Sequence, residues 1–267
     1  VDDAQYLIHT ANPFNILASA KKIRQMQPDA VIIQWWHPYF APCYRILEGA
    51  LKGIPLIFVC HNVFPHERFP MDKSLTRTVL RRGSAFIVHS AADGEELRTI
   101  LENPVCEQTV LPNFNGFKQQ DMSREEARAK LGIPEEEKIL LFFGFVREYK
   151  GLRHILRAMP EIVKSDPHIR LLVVGEFIGD KESYLSLIEE GGAGDHITLV
   201  DGYIPDREIE PYFAACDLVV LPYESATQSG IVQIAYGFEK PVIATEVGGL
   251  PDVVLGYDSA EEYASND

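Results

Sequence analysis

The sequence is poor in features that mark several large protein classes. Its four cysteines are scattered, at Cys43, Cys60, Cys106 and Cys216, with no CxxC pair. Zinc modules and disulfide frameworks need closely spaced cysteines, so free and buried thiols in a reducing compartment are expected. No apolar run is long enough to cross a bilayer, and the first residues do not begin a signal peptide.

Two nucleotide-binding signatures are also missing. No GxGxxG opens a predicted strand–helix series and no Walker loop occurs, which excludes a typical dinucleotide oxidoreductase or P-loop protein. The acidic pairs Glu95-Glu96 and Glu189-Glu190 are predicted to be solvated helix faces, so glycoside hydrolysis by paired carboxylates is disfavoured. The net charge of −14 argues against nucleic acid as a partner, although a local basic pocket is compatible with it.

Strand and helix signals alternate along the chain in two series. Apolar runs near residues 30–34, 55–60, 85–89 and 107–111 predict the first set of strands, and those near 139–143, 169–175, 196–200, 218–222 and 241–245 predict the second. Between the series, a capping box at Ser123 and Glu126 predicts a short helix that ends near Gly132. We therefore expect an α/β protein with domains at 1–113 and 139–267, joined by an interdomain connection at 114–138.

The segment from Asp217 to Val254 is the most informative in the sequence. It predicts a buried strand, the small polar loop SATQSG, a helix from Ile231, a second strand and a turn at Gly248-Gly249. Backbone N–H groups at the start of the helix would face the carboxyl edge of the parallel sheet, where such sheets bind ligands. An anion-binding site is expected there.

The run FFGFVREYKGL places two cations at the same edge. Gly144 ends a predicted strand, and Arg147 and Lys150 follow in the loop before the next helix. The helix dipole opposes a cation at this position, so helix stability alone would not select one. A diphosphate is the ligand that this pattern suits, and the alternative is that both side chains point into solvent.

In the first half, polar residues follow three of the predicted strands. His61 follows LIFVC in a long polar loop, and is the histidine that we single out as functional. Ser90 is expected to cap a helix, and His89 is equally a core or a functional histidine. Packing is the favoured role of Trp35 and Trp36, with acceptor binding as the alternative. No zinc-like spacing accompanies His61 and His66, which disfavours a metal site.

Several of these motifs resemble those of the retaining nucleotide-sugar glycosyltransferases of family 4. FFGFVREYKGL is similar to the glycine, basic residue and Lys-Gly signature, and PYESATQSGIVQIAYGFEKPVIATEVGGLPDVV is similar to the donor-binding segment. CHNVFPHERF, IVHSAADGEEL and VLPNF look like first-domain elements. The resemblance covers nearly the whole chain. It implies the GT-B fold, in which two Rossmann-like domains with parallel sheets face each other across a cleft.

The resemblance also implies roles for individual residues. Lys150 would bind the donor diphosphate with Arg147 beside it, and His61 would lie against the donor sugar; these three form the implied catalytic set. The implied donor-binding residues are Gly144, Gly202, Tyr203, Glu224, Thr227, Gln228, Ser229 and Gly230. Gly202 and Tyr203 would lie near the nucleotide base. No cofactor or metal is required, since the cations and the helix start would stabilise the departing diphosphate.

The implied partners are a nucleoside diphosphate sugar and a glycan or lipid-linked acceptor, as in polysaccharide biosynthesis. We expect a cytoplasmic protein, at the inner membrane face if the acceptor is lipid-linked. The sequence departs from the family at its glutamate pair, whose positions fall on Ala226 and Ile234. A divergent TQSG subgroup, a non-catalytic or truncated binding module, and a nucleotide-sugar epimerase or sugar phosphorylase therefore stay open. Truncation would also fit the missing initiator Met and the abrupt end.

Overall fold

The computed structural model describes residues 5–65, 68–109, 111 and 114–254 of the chain. The chain divides into two compact units, residues 1–110 and 111–267. Both units are α/β, and in each the described strands form a parallel sheet. The two predicted βα series therefore correspond to separate units.

The first unit has a four-stranded sheet in the order β1-β2-β3-β4. Its strands are β1 (Val31–Trp35), β2 (Leu56–Cys60), β3 (Ala85–Val88) and β4 (Cys106–Gln108). Its helices are α1 (Pro13–Gln25), α2 (Ala41–Ala50), α3 (Asp72–Leu80) and α4 (Ala91–Arg98). Each strand lies within a few residues of the apolar run that predicts it.

Alternate residues of the first sheet build the core of this unit. Trp35 and Phe58 are fully buried within it, and the Trp35 indole N–H donates to the Val63 carbonyl at 3.2 Å. Ile32 points to the opposite face and is 62% exposed. The packed position predicted for Trp35 is confirmed. Trp36, for which packing was also expected, is instead 55% exposed.

The second unit has a five-stranded sheet in the order β7-β6-β5-β8-β9. Its strands are β5 (Lys138–Phe143), β6 (Ile169–Val174), β7 (Ile197–Val200), β8 (Leu218–Leu221) and β9 (Val242–Ala244). Its helices are α5 (Arg124–Leu131), α6 (Leu152–Ser165), α7 (Lys181–Gly191), α8 (Glu210–Ala215), α9 (Gly230–Gly237) and α10 (Leu250–Val254).

The central strands β5, β6 and β8 of this second sheet are buried on both faces, which explains why they are mostly apolar. Leu141 and Phe143 of β5 pack into one cluster with α8 and α9, while Phe142 packs into another with α6. The strand order reverses between β5 and β8, the topological switch point at which open α/β sheets bind ligands. The fold therefore directs attention to the loops after β5 and β8.

The predicted connection, residues 114–138, belongs to the second unit. Its helix α5 has the predicted capping box, and Gly132 ends it in the left-handed region. Arg128 is fully buried, and its guanidinium donates to Asp217 at 2.7 Å and to three carbonyl groups of residues 134–137. The buried Glu210 carboxylate accepts three backbone N–H bonds from residues 119–122. These contacts hold residues 114–138 against α8 and the start of β8.

The expectation that the cysteines are free is confirmed, whereas the expectation for one glutamate is wrong. All four cysteines are free, and Cys43, Cys60 and Cys216 are buried while Cys106 is half-buried. The prediction that Glu95 and Glu96 are both solvated is wrong for Glu96. That side chain is half-buried, and burial raises the pKa of its carboxyl. It lies on α4 beneath the loop after β2, where Phe64 donates a backbone hydrogen bond to it.

Candidate active site at the switch point

The loop after β5 carries the Lys-Gly pair in a tightly packed turn. Glu148–Lys150 form a 3₁₀ turn, and Gly151 leads into α6 with a φ of 64°. A Cβ atom on Gly151 would lie 1.8 Å from the Pro222 carbonyl oxygen, which follows β8. Only glycine permits this approach and this backbone conformation. The Lys-Gly pair thus holds the loop after β5 directly against the end of β8.

Lys150 is half-buried, and its ammonium lies beside Gly144. A Cβ built on Gly144 would lie 3.0 Å from Nζ, and the Tyr223 ring centroid is 5.7 Å from it. Within the described residues, no carboxylate forms an ion pair with Lys150. Burial, and secondly the nearby charge of Arg147, lower the pKa of Lys150 to about 8. A largely charged, desolvated cation at neutral pH calls for an anionic ligand.

Arg147 precedes the 3₁₀ turn and is half-buried. Its carbonyl accepts the Lys150 backbone N–H at 3.0 Å, and its guanidinium charge disfavours a second cation nearby. The structure therefore brings the two predicted cations into one loop. An anion beside this loop would be attracted by both charges.

The loop after β8 supplies the helix start that the sequence predicts. Ser229 is the N-cap of α9, which begins at Gly230, and the Ser229 side chain makes no capping bond. Its hydroxyl instead lies 3.4 Å from the Tyr223 hydroxyl. Thr227 and Ser229 are buried, and Gln228 is half-buried. Tyr223 joins this loop to the Lys150 loop, because its ring also packs edge-on against Tyr149 at 6.2 Å.

Glu224 makes contacts with α6. Arg153 donates to both of its carboxylate oxygens at 2.9 Å, and the His154 ring lies 2.6 Å from one of them. The Arg153 hydrogen bond, followed by that of His154, lowers the pKa of Glu224. Its assignment to donor binding stays a prediction, with a carboxylate that already has two partners.

A cavity of about 250 Å³ opens beside Lys150 and contains several of the predicted residues. Gly144, Lys150, Gly202 and Tyr203 all line it, together with residues of α9. Phe145, which directly follows Gly144, stacks on Tyr203 with centroids 6.4 Å apart. The strands β5, β6 and β7 therefore contribute their carboxyl-end loops to one cavity.

Apolar side chains occupy the two positions of the family's glutamate pair. Ala226 and Ile234 are each 6% exposed and belong to the same core cluster, and Ile234 lines the cavity. A Cβ on Gly248 would lie 1.4 Å from the Ala226 carbonyl oxygen, so the Gly248-Gly249 turn packs directly on the SATQSG loop. That turn supports the loop.

The edge of the first unit's sheet has a different chemistry. His61, which follows β2, lies with Nε2 2.6 Å from Gln34 Oε1 and stacks on Trp36 at 3.8 Å and 12°. His89 lies 5.5 Å from it. Burial, and secondly the charge of His89, lower the pKa of His61.

The neighbours of His61 match their predicted roles in part. His89 is 7% exposed and its Nδ1 lies 3.3 Å from the Thr109 carbonyl oxygen, as expected of a core histidine. Ser90 caps α4, as predicted. His66 lies outside the described residues. Elsewhere in the described chain, no group of three His, Cys, Asp or Glu side chains could hold a metal ion.

Sequence reasoning missed Tyr223 and Gln34. Each had a visible signal: Tyr223 directly follows the buried run LVVLP, and Gln34 is the polar residue that interrupts the apolar strand VIIQW. In the described part of the chain, no helix is both long and apolar enough to span a membrane.

Fold and site together define a class of protein. The sequence profile of the family described as Glycosyl transferases group 1 matches residues 123–261, more than half of the chain. That of Glycosyltransferase Family 4 matches residues 5–114. The chain belongs to the glycosyl transferases group 1 family.

Among curated proteins, the chain is similar to TuaC of Bacillus subtilis, named as a teichuronic acid biosynthesis glycosyltransferase. The two are 28% identical over 253 residues, which cover 90% of this chain and 60% of TuaC. A D-inositol 3-phosphate glycosyltransferase of Segniliparus rotundus is 34% identical over 131 residues, covering 48% of this chain and 29% of that protein. The chain thus spans less than two thirds of the length of these relatives.

Solved structures share the fold. Sucrose-phosphate synthase of Thermosynechococcus elongatus superposes with a TM-score of 0.68 at 17% identity, covering 98% of this chain and 72% of that one. HepE of Anabaena, solved with UDP and glucose, gives a TM-score of 0.68 at 18% identity, covering 88% and 63%. The expected GT-B fold, with two Rossmann-like units, is confirmed.

Proposed function

We propose that the protein transfers a glycosyl group from a nucleoside diphosphate sugar to a glycan or lipid-linked acceptor, with retention of anomeric configuration. The donor diphosphate would bind in the second unit, at the loops after β5 and β8. Lys150 is the observation that carries this proposal. Its side chain is half-buried with the ammonium beside Gly144, has no carboxylate partner in the described chain, and lines a cavity at the switch point.

The chemical contribution of these residues would be to stabilise the leaving group. As the glycosidic bond breaks, negative charge accumulates on the departing diphosphate, and Lys150, Arg147 and the first turn of α9 would all stabilise it. Fixed cations of this kind need no reorganisation during the reaction, and one such group is worth roughly 3 kcal/mol. This scheme requires no metal and no cofactor.

His61 would act from the first unit. The family resemblance assigns it to the donor sugar, and its lowered pKa makes it a neutral hydrogen-bonding group at neutral pH. The biosynthetic role named for TuaC supports an acceptor that belongs to a polysaccharide. A lipid-linked acceptor would bring the protein to the inner face of the membrane from the cytoplasm.

One observation favours a second candidate, a non-catalytic nucleotide-binding module. The apolar Ala226 and Ile234 remove both carboxylates of the usual glutamate pair, and with them two groups that could bind hydroxyls. Such a module would bind the nucleoside diphosphate through Lys150 but would not turn the donor over. Binding and turnover therefore have to be measured separately.

A thermal-shift titration tests the donor site. UDP, GDP and ADP, each with its common sugar conjugates, are added to the chain and to Lys150→Met, a variant of similar length without charge. We expect one nucleoside diphosphate to raise the melting temperature of the parent chain by mass action, and to do so weakly in Lys150→Met. Lys164→Met, at an exposed position of α6, serves as the control and should respond like the parent.

Two results separate the candidates. A shift that persists unchanged in Lys150→Met would remove Lys150 from the donor site. Binding that depends on Lys150, without release of nucleoside diphosphate in the presence of donor and acceptor, would favour the non-catalytic module. Turnover assays with glycan and lipid-linked acceptors complete the test.

A further inference from the structure

His61 is contacted on several sides by residues from the two strands that flank β2. Gln34, at the end of β1, places Oε1 2.6 Å from His61 Nε2. Trp36 follows the same strand and stacks almost parallel to the imidazole, with centroids 3.8 Å apart. His89, after β3, lies 5.5 Å away on a tilted plane. The hydrogen bond and the stacking contact both favour one orientation of the ring.

The contact with Gln34 decides which ring nitrogen carries the proton. An amide oxygen only accepts hydrogen bonds, so Nε2 must donate in this pair. A neutral imidazole has a single N–H, and a proton fixed at Nε2 leaves the lone pair at Nδ1. Because burial and His89 lower the pKa of His61, the neutral form is the one that this geometry organises.

We propose that Gln34 is a positioning residue for His61, fixing its proton on Nε2 and keeping its ring against Trp36. Parallel pairing of β1 with β2 sets the arrangement, because Gln34 pairs with Val59, two residues before His61. The catalytic consequence rests on the proposed function, since His61 must face the substrate for its tautomer to matter. The contact itself does not depend on that function.

NMR titration of His61 tests this directly. The imidazole resonances and nitrogen shifts are measured from pH 5 to 8 in the parent chain, Gln34→Leu and Gln34→Glu, with His61→Ala to assign the signal. We expect Gln34→Leu to lose the preference for the Nε2 proton. Gln34→Glu should keep that preference and raise the pKa of His61 by about one unit, because the carboxylate stabilises the imidazolium.

The matched control is Gln25→Glu, which adds the same charge at an exposed position of α1. It should leave the His61 titration unchanged. In turnover assays, Gln34→Leu should lower kcat by about tenfold at an unchanged donor KM, the pattern of a misplaced reacting group. Gln34→Glu should recover the parent kcat at pH values above its raised His61 pKa. The acid limb of its kcat–pH profile should therefore shift to higher pH.

The proposal and the function on which it rests fail in different ways. If His61 titrates identically in all Gln34 variants, Gln34 does not position it, whatever the chain catalyses. If the His61 tautomer follows Gln34 but no donor is bound or turned over, the positioning role stands and the glycosyltransferase assignment falls. An unchanged kcat in Gln34→Leu, in a chain that turns donor over, would overturn the catalytic consequence.

Discussion

The candidate functional residues of the two sheets differ in chemistry. Both sheets are parallel, and in both these residues lie on or beside the loops that follow the strands. The first presents stacked rings, with His61 between Trp36 and His89. The second presents Lys150 and Arg147 beside glycines and a helix start. At the first edge the His61 ring is neutral near neutral pH and suits hydroxyl groups, whereas the second edge is cationic and suits phosphate.

Burial produces opposite results at the two edges. It lowers the pKa of both His61 and Lys150, because both are cations when protonated. For His61 this favours the neutral ring. For Lys150, the pKa of about 8 still leaves the ammonium largely protonated at pH 7. The same desolvation thus yields a neutral hydrogen-bonding group at one edge and an uncompensated charge at the other.

The largest effect is expected for Lys150→Met. Donor turnover should fall about a hundredfold or more, because a fixed charge at the leaving group is lost. Without nucleotide, however, the variant should be more stable than the parent at pH 7, since a partly desolvated charge without a carboxylate partner in the described chain has been removed. Thermal unfolding and kcat/KM measured on the same samples check both. A variant that is both active and less stable would contradict the comparison.

His61→Ala should separate the roles of the two edges, because it should change turnover and leave UDP binding unchanged. We expect kcat to fall about tenfold while UDP affinity stays at the parent value, because the affected contact would be to sugar and not to phosphate. Isothermal titration with UDP and steady-state kinetics measure the two quantities. Loss of UDP affinity in this variant would mean that the first unit contributes to the diphosphate site.

Arg147→Ala should have a smaller effect of the same kind as Lys150→Met. Donor kcat/KM should drop by about fivefold, since one of two charges is removed. The pKa of Lys150 should rise in this variant, because Arg147 helps to lower it. Carbon-detected NMR of the lysine side chains measures that pKa, and Arg147→Lys is the control that keeps the charge. A Lys150 pKa that falls would be inconsistent with this account.

The smallest effect near neutral pH is a pH dependence that comes from Lys150 at the second edge. Bound diphosphate favours protonated Lys150, so UDP affinity should be constant below pH 8 and weaken by up to about tenfold per unit above it. The apo chain should gain stability between pH 8 and 10.5, because there the unfolded state binds more protons than the folded state. The slopes of the stability titrations of the parent and of Lys150→Met should differ in this window.

Much of the fold follows from local patterns in the sequence. The apolar runs of the second unit are strands buried on both faces, and the capping box at Ser123 and Glu126 starts α5. The cavity beside Lys150 was also foreseeable in part, because parallel strands bring their carboxyl ends to one edge. Gly144 and Lys150 of the loop after β5 and Gly202 and Tyr203 of the loop after β7 line it together.

Contacts across strands were not foreseeable in the same way. Nothing local indicates that Gln34 meets His61, that Pro222 leaves room only for glycine at position 151, or that Arg153 binds Glu224. These depend on register and loop packing, which a single sequence does not specify. Trp35 and Trp36 are adjacent and identical in type, yet alternation along β1 buries one and exposes the other.

The lowered pKa of Lys150 has a consequence for chemical labelling. Amines react with electrophiles in their unprotonated form, and ordinary lysines with pKa values near 10.5 hold very little of it at neutral pH. Lys150, at about 8, holds far more and opens onto a cavity. A limiting amount of an acylating reagent near pH 7.5 should therefore modify this lysine ahead of the exposed ones. A ligand in the cavity should protect Lys150 from the reagent. Cavity occupancy could then be measured from the mass of the peptide that contains Lys150, without any assay of turnover.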